Sequence, residues 1–331
     1  MTDKGLFLQN VIAVIWDFDR TLSPQYMQKP LFEAYDVDEN TFWEQVGRLP
    51  AYYRKAGIHV QRDTCYLGHI LSYVRAGRFK GLTNARLRDL GKNITFYRGL
   101  PFFLDRLKTI VKAPDYAEGD LRLEHYVVST GLAEIIRGSE IAEKLDGVWA
   151  SEFIETPAEP DTDLAGAPAH GEITQIATLL DNTTKTRALF EINKGVNKEP
   201  SITVNDAIPE EERRVPFKNM IYVADGPSDI PSFSVVRKHG GLAFAVYKPR
   251  SPRHYEQALM LQETDRVDMI GPADYREGSS TDMWFQSQIR RIASRMLDER
   301  RRALESKVRK EPVHLAEIQR QKKVKQKEAE E

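Results

Sequence analysis

The chain has 331 residues, of which 41% are hydrophobic and 29% charged, and its formal net charge at pH 7 is −1. This composition is typical of a soluble globular protein with one large domain or two moderate ones. A single cysteine, Cys65, excludes an internal disulfide framework and favours a reducing compartment. No apolar run approaches the roughly 20 residues of a membrane span, and the first residues lack a secretory signal. We therefore expect a cytoplasmic protein without membrane contact.

The most informative segment is Val14–Ser23, where an apolar run precedes two closely spaced acids. Residues Val11–Trp16 have the pattern of a buried strand, and Asp17 and Asp19 follow in a polar turn. Ligands of open α/β sheets bind beyond the carboxyl ends of the strands. Two neighbouring carboxylates repel each other unless a cation or a shared proton lies between them, and such oxygen ligands suit Mg²⁺. Taken alone, the pair is better explained by a turn or a helix cap.

The next part of the chain, residues 24–95, has a helical pattern that Pro50, Gly57 and Gly91 divide into several short helices. It contains no segment with the pattern of a parallel core strand. A further helix is predicted at Phe102–Val111. This arrangement indicates a helical insertion directly after the first strand.

Three later segments carry polar side chains at the end of a predicted strand or at the start of a predicted helix. A hydroxyl pair follows one strand, a lysine opens one helix, and an acidic pair follows another strand. These residues are Ser129 and Thr130 after Tyr126–Val128, Lys185, and Asp225 and Asp229 after Met220–Ala224.

These four segments, in this order, resemble the motifs of the haloacid dehalogenase (HAD) superfamily of phosphohydrolases over about residues 11–246. The part from Ala150 to Lys185 is most similar to the phosphoserine-phosphatase-type branch. The resemblance implies an α/β fold, a Rossmann-like doubly wound parallel sheet with a helical C1-type cap inserted after the first strand. It assigns 1–23 and 96–283 to the core and 24–95 to the cap. The charge and apolar spacing of residues 284–331 predict a charged helical tail that becomes disordered towards its end.

The resemblance also implies a role for each motif residue. Asp17 would be the nucleophile and Asp19 the general acid and base. Ser129, Thr130 and Lys185 would bind the phosphoryl group, and Ser129 and Lys185 would also be catalytic. The Mg²⁺ shell would take the side chains of Asp17, Asp19, Asp225 and Asp229.

Each of these roles has a structural alternative. Ser129 could cap the following helix, Lys185 could be an exposed surface lysine, and Asp229 could cap a helix. Arg20 departs from the family pattern, since many relatives have Gly there. It could contact substrate or point to solvent.

The expected activity is a Mg²⁺-dependent phosphatase for a small phosphorylated metabolite, because a helical cap leaves little room for a macromolecule. A dehalogenase needs no metal, so Asp19, Asp225 and Asp229 argue against it. Two alternatives stay open, a phosphomutase of the same superfamily and a non-enzymatic scaffold that binds nucleic acid or protein through the basic tail.

The tail differs in charge from the rest of the chain. Residues 285–331 contain 14 Lys or Arg and 8 Asp or Glu, a balance of +6, and the preceding part carries −7. Nucleic acid is not expected as a partner because acidic residues are interspersed. An apolar stripe is expected to dock on the chain's own core or on a second copy, which would give a homo-oligomer. Its members are Ile289, Ile292, Ala293, Met296, Leu297, Ala303 and Leu304.

Overall fold

The computed structural model describes residues 8–161 and 164–308, with side chains as far as residue 305. Within these ranges, seven strands form one sheet in the order β4-β3-β2-β1-β5-β6-β7. The strands are β1 (Val11–Trp16), β2 (Arg122–Leu132), β3 (Gly147–Ile154), β4 (Gln175–Thr178), β5 (Met220–Ala224), β6 (Leu242–Tyr247) and β7 (Met269–Pro272). The helices are α1 (Lys29–Ala34), α2 (Glu39–Arg54), α3 (Cys65–Arg75), α4 (Asn84–Gly91), α5 (Phe102–Ile110), α6 (Ala133–Gly138), α7 (Lys185–Lys194), α8 (Ile230–Lys238), α9 (Pro252–Glu263) and α10 (Ser280–Val308).

The sheet is parallel except at β4, which pairs antiparallel with β3. The first strand, β1, lies in the middle, and all six of its side chains are buried. A strand that is covered on both faces needs apolar side chains at every position, which the sequence of β1 provides. The predicted doubly wound α/β fold is confirmed.

Alternate side chains of β1 pack into two hydrophobic layers, one on each face of the sheet. On one face, Val11, Ala13 and Ile15 pack with side chains of α7, α8 and α9. On the other face, Ile12, Val14 and Trp16 join a cluster with α5, α6 and α10. No helix within the described ranges is long and apolar enough to cross a membrane.

Four helices, α1–α4, occupy the segment 24–95, which we call the cap segment. Their buried side chains belong to the same hydrophobic cluster as one face of the sheet. Helix α4 lies close against α6, because a Cβ atom on Gly138 would meet the Arg88 carbonyl oxygen at 1.7 Å. The cap segment is therefore packed firmly on the core, and its boundaries as a domain stay a prediction.

The C-terminal helix docks on the chain's own core, which is one of the two arrangements expected for its apolar stripe. Helix α10 begins at Ser280, and the Phe285 ring stacks on Trp16 of β1 with 5.4 Å between ring centroids. The stripe from Ile289 to Leu297 is buried on the chain's own core, whereas Leu304 is 56% exposed. The apolar pattern of the helix therefore continues to Leu304, beyond the part that is buried against the core. The expected disordered end, residues 309–331, lies outside the described residues.

The segment Arg266–Ile270 has the apolar pattern of a further core strand, but the strand begins three residues later. The strand β7 lies at Met269–Pro272, and Val267 precedes it as a buried residue of the loop. An apolar side chain in a loop produces the same local signal as the first residue of a strand.

Candidate active site

The ends of three adjacent strands bring the motif residues together. Trp16 of β1 is in register with Val127 of β2 and with Val223 of β5. Asp17, Ser129 and Asp225 therefore lie at nearly the same level of the sheet, with Ser129 and Asp225 one residue further along their strands than Asp17. The Asp17 backbone N–H donates to the Val223 carbonyl at 2.8 Å, which fixes the start of the turn.

Lys185 connects two of the predicted carboxylates. It is the first residue of α7, and its side chain is only 2% exposed. Its Nζ donates to Asp17 Oδ1 at 2.7 Å and to Asp229 Oδ1 at 2.7 Å. The alternative of a surface lysine is therefore wrong, and the ammonium group holds two carboxylates at one position.

Asp229 is fully buried and accepts hydrogen bonds from three side chains. Besides Lys185, Tyr222 donates to its Oδ1 at 2.7 Å and Ser228 to its Oδ2 at 2.9 Å. Asp229 stands at the N-cap position of α8, but its carboxylate makes no capping bond. We did not predict Tyr222 as a site residue, although a tyrosine within a buried strand needs a partner for its hydroxyl.

Three carboxylates could hold a metal ion together. Asp17, Asp225 and Asp229 each offer an oxygen, and these oxygens lie within 4.8 Å of one another. Asp19 is outside this group of three, and its Oδ1 accepts a hydrogen bond from the Met27 N–H at 2.8 Å. The metal role of the Asp19 side chain stays a prediction that this geometry does not support.

Burial and mutual repulsion shift the protonation equilibria of these acids. Burial raises the pKa of Asp17 to about 6, with Lys185 acting against it. Burial and the charges of Asp17 and Asp229 raise the pKa of Asp225 to about 7. Burial and the charge of Asp17 raise the pKa of Asp19 well above its usual value, so this side chain tends to carry a proton.

Lys185 responds in the opposite sense. Burial favours its neutral amine, but Asp17 and Asp229 outweigh that effect and raise the pKa of Lys185 well above its usual value. With every member ionised, Lys185 and the three carboxylates carry a formal charge of −2. A divalent cation would neutralise that charge.

Ser129 and Thr130 follow the regular part of β2, where its pairing with β3 becomes irregular. The Ser129 hydroxyl oxygen accepts from the Gly131 N–H at 3.1 Å, which leaves its own O–H as a donor. Helix α6 begins beyond it, with Leu132 at the N-cap position, so Ser129 is not the cap of that helix. The phosphate-binding role of Ser129 and Thr130 stays a prediction.

The cap segment reaches the site through Tyr66 of α3. Its hydroxyl donates to the Thr130 carbonyl at 2.7 Å. Burial, with the charge of Asp19 as the second cause, raises its pKa. Tyr66 is a site residue that the sequence did not reveal, since its apolar helical spacing is also typical of a core position.

Comparison with known proteins gives one relative in sequence. An uncharacterized protein of Borreliella burgdorferi is 34% identical over 287 residues, which cover 85% of this chain and 97% of that protein. No family model matches the chain.

Similar solved structures are HAD-type enzymes. A HAD-family hydrolase from Salmonella enterica subsp. enterica serovar Typhi has a TM-score of 0.45 and 14% identity, covering 75% of this chain and 65% of the hydrolase. Phosphoserine phosphatase in its apo form has a TM-score of 0.43 and 18% identity, covering 78% and 92%. These similarities are weak, so the functional argument rests on the chain's own residues. The chain belongs to one family with the Borreliella protein, and its doubly wound α/β core brings the four motif segments together at the carboxyl ends of the strands.

Proposed function

We propose that the protein is a Mg²⁺-dependent phosphohydrolase that acts on a small phosphorylated metabolite through an aspartyl-phosphate intermediate. The observation that carries this proposal is the buried ammonium group of Lys185, bonded to Asp17 and Asp229 beside Asp225. A buried cation flanked by carboxylates at the carboxyl edge of a parallel sheet is suited to hold a dianionic group next to a nucleophile.

The donor set fits Mg²⁺, which prefers carboxylate oxygens and keeps several waters. Asp17, Asp225 and Asp229 supply such oxygens with a net charge of −2 once Lys185 is counted. The bound ion would neutralise charge on the phosphoryl oxygens and so permit attack by an anion.

The chain's own residues then divide hydrolysis into two displacements. An oxygen of Asp17 forms a bond to phosphorus as the ester oxygen leaves, and Asp19 gives that oxygen its proton. Asp19 next takes a proton from a water whose oxygen bonds to phosphorus, and the Asp17 carboxylate is released with inorganic phosphate. The raised pKa of Asp19 suits this role because burial and the charge of Asp17 favour its protonated form.

Ser129 and Lys185 would bind the equatorial phosphoryl oxygens, Ser129 through its free O–H and Lys185 through its third N–H. Thr130 would contribute through its position in the same turn. Tyr66 would hold that turn against the cap segment. We also propose that the protein is cytoplasmic and that its substrate is small.

The test uses purified full-length protein and an aryl phosphate with Mg²⁺. Wild type is expected to release inorganic phosphate, to stop in excess chelator and to recover on addition of Mg²⁺. Asp17→Asn should remove the attacking charge and abolish turnover without lowering the melting temperature. Residual Asp17→Asn activity above roughly one per cent of wild type would contradict covalent catalysis by Asp17.

A phosphomutase would transfer the phosphoryl group to a second hydroxyl and release little inorganic phosphate from a phosphorylated sugar. Release of inorganic phosphate from a phosphorylated sugar, measured under the same conditions, would therefore separate the two activities. The scaffold alternative predicts no turnover in any of these samples.

A further inference from the structure

A small pocket opens beside Asp225. Its volume is about 140 Å³, roughly that of five water molecules. Asp225 belongs both to this pocket and to the three-carboxylate group. A molecule whose phosphoryl group lies at that group would therefore have the pocket within reach of its remaining part.

Two cations line the pocket. Arg20 and Lys248 are both exposed there, beside His254 and the Asp225 carboxylate. Among the described residues, no carboxylate forms an ion pair with Arg20 or Lys248, although the charge of Arg20 opposes the rise in the pKa of Asp225. Burial and the charges of Arg20, Lys248 and Arg253 lower the pKa of His254, which favours its neutral form.

Tyr97 adds a hydroxyl group without a partner. The residue is only 8% exposed, it lines the pocket, and its hydroxyl has no hydrogen-bond partner among the described residues. An unpaired buried hydroxyl costs stability, and structures retain few of them. A ligand in the pocket would explain this one.

The backbone of Arg20 points to the same conclusion. Its φ is +60°, in the left-handed region that costs a side-chain-bearing residue roughly 1–2 kcal/mol. The guanidinium lies 4.5 Å from the centroid of the Tyr26 ring, and this contact limits its freedom. An oriented arginine at a strained position is easier to explain by binding than by folding.

We propose that this pocket binds a second anionic group of the substrate, a carboxylate or a phosphate, through Arg20, Lys248 and Tyr97. The inference rests on the proposed phosphohydrolase function and narrows its substrate class. Preferred substrates would be phosphomonoesters with another anionic group a few bonds from the phosphoryl oxygen. Arginine can bind such a group with two parallel hydrogen bonds, and lysine adds a point charge.

The experiment compares substrates that differ only in that second group. Phosphoglycolate, 3-phosphooxypropanoate and 4-phosphooxybutanoate are each assayed against the corresponding carboxamide with full-length protein and Mg²⁺. Propane-1,3-diol bisphosphate against its monophosphate tests a phosphate in place of the carboxylate. We expect kcat/KM to favour the anionic member by at least roughly tenfold for at least one spacing, as for charge-assisted hydrogen bonds.

Variants assign the preference to the pocket. Arg20→Gln and Lys248→Gln should each remove most of it, and Tyr97→Phe should reduce it without lowering the melting temperature. The matched controls are Lys112→Gln and Arg122→Gln, which remove exposed cations near the amino ends of the strands. Both variants should keep the wild-type preference for the anionic substrate.

The outcomes separate this inference from the proposed function. Equal hydrolysis of anionic and neutral partners at every spacing would overturn the inference and leave the phosphohydrolase standing. A preference that survives all three pocket variants would overturn the assignment to this pocket. Absence of turnover with every substrate would overturn both.

Discussion

His125 provides a quantitative test of the packing between the central strands. Its ring is fully buried, with Nδ1 accepting from the Trp16 indole N–H at 3.2 Å and Nε2 donating to the Leu104 carbonyl at 3.0 Å. Both nitrogens are therefore satisfied in one neutral tautomer. A proton on Nδ1 would face the Trp16 donor and bury a charge. Burial accordingly lowers the pKa of His125 from 6.5 to about 3.

The expected effect on stability follows from that shift. Between pH 6.5 and 3 the unfolded chain binds the proton and the folded chain does not, so stability falls as the pH falls. From pH 7 to pH 5 this histidine alone should lower the free energy of unfolding by about 2 kcal/mol. Above pH 6.5 its contribution is complete.

The assay is urea unfolding followed by far-UV circular dichroism at pH 7 and pH 5, in chelator. His125→Asn lacks the titrating group, so its stability gap to wild type should narrow by about 2 kcal/mol at pH 5. His59→Asn changes an exposed histidine and serves as the control. An unchanged gap for His125→Asn would refute the neutral, doubly bonded state of this ring.

Three other perturbations test the packing and the site. Gly138→Ala should lower the free energy of unfolding by about 1–3 kcal/mol in urea titration, because its Cβ would strike α4. Gly47→Ala meets no atom within 4 Å and should be neutral or stabilising. Lys185→Met should abolish turnover. Because the charge of the site becomes more negative, Mg²⁺ should raise the melting temperature of this variant more than that of wild type. An equal rise in both proteins would contradict this reasoning. Deleting 284–331 should cause unfolding or a large loss of thermal stability, whereas deleting 313–331 should leave melting temperature and activity nearly unchanged.

The sequence was most informative where structure depends on neighbouring residues. An apolar run followed by Asp17, and another followed by Asp225, are local patterns, and both strands lie where these patterns predicted. Gly195 ends α7 in the left-handed conformation, which glycine adopts readily and which marks many helix ends. These features need no knowledge of what packs against them.

Contacts between segments that are far apart in the sequence were harder to predict. The sequence placed Lys185 at a helix start, but only the fold brings it 2.7 Å from both Asp17 and Asp229. The α10 stripe predicted docking without choosing between the chain's own core and a second copy. Phe285 packs on Trp16, so the helix docks on the chain's own core. Binding of a second copy through another surface stays a prediction.

Four residues with an unusual burial, backbone conformation or missing hydrogen bond lie near the carboxyl ends of β1 and β5. Asp229 is fully buried, Lys185 nearly so, Arg20 has a left-handed backbone, and Tyr97 keeps an unpaired hydroxyl. Each alone could be a tolerated cost of folding. Together they lower stability at a single place, and natural sequences accept such costs mainly where a ligand offsets them. A phosphorylated ligand with a divalent cation would offset part of these costs, because the cation would neutralise the excess negative charge of the carboxylates and an anionic group would pair with Arg20 and Tyr97.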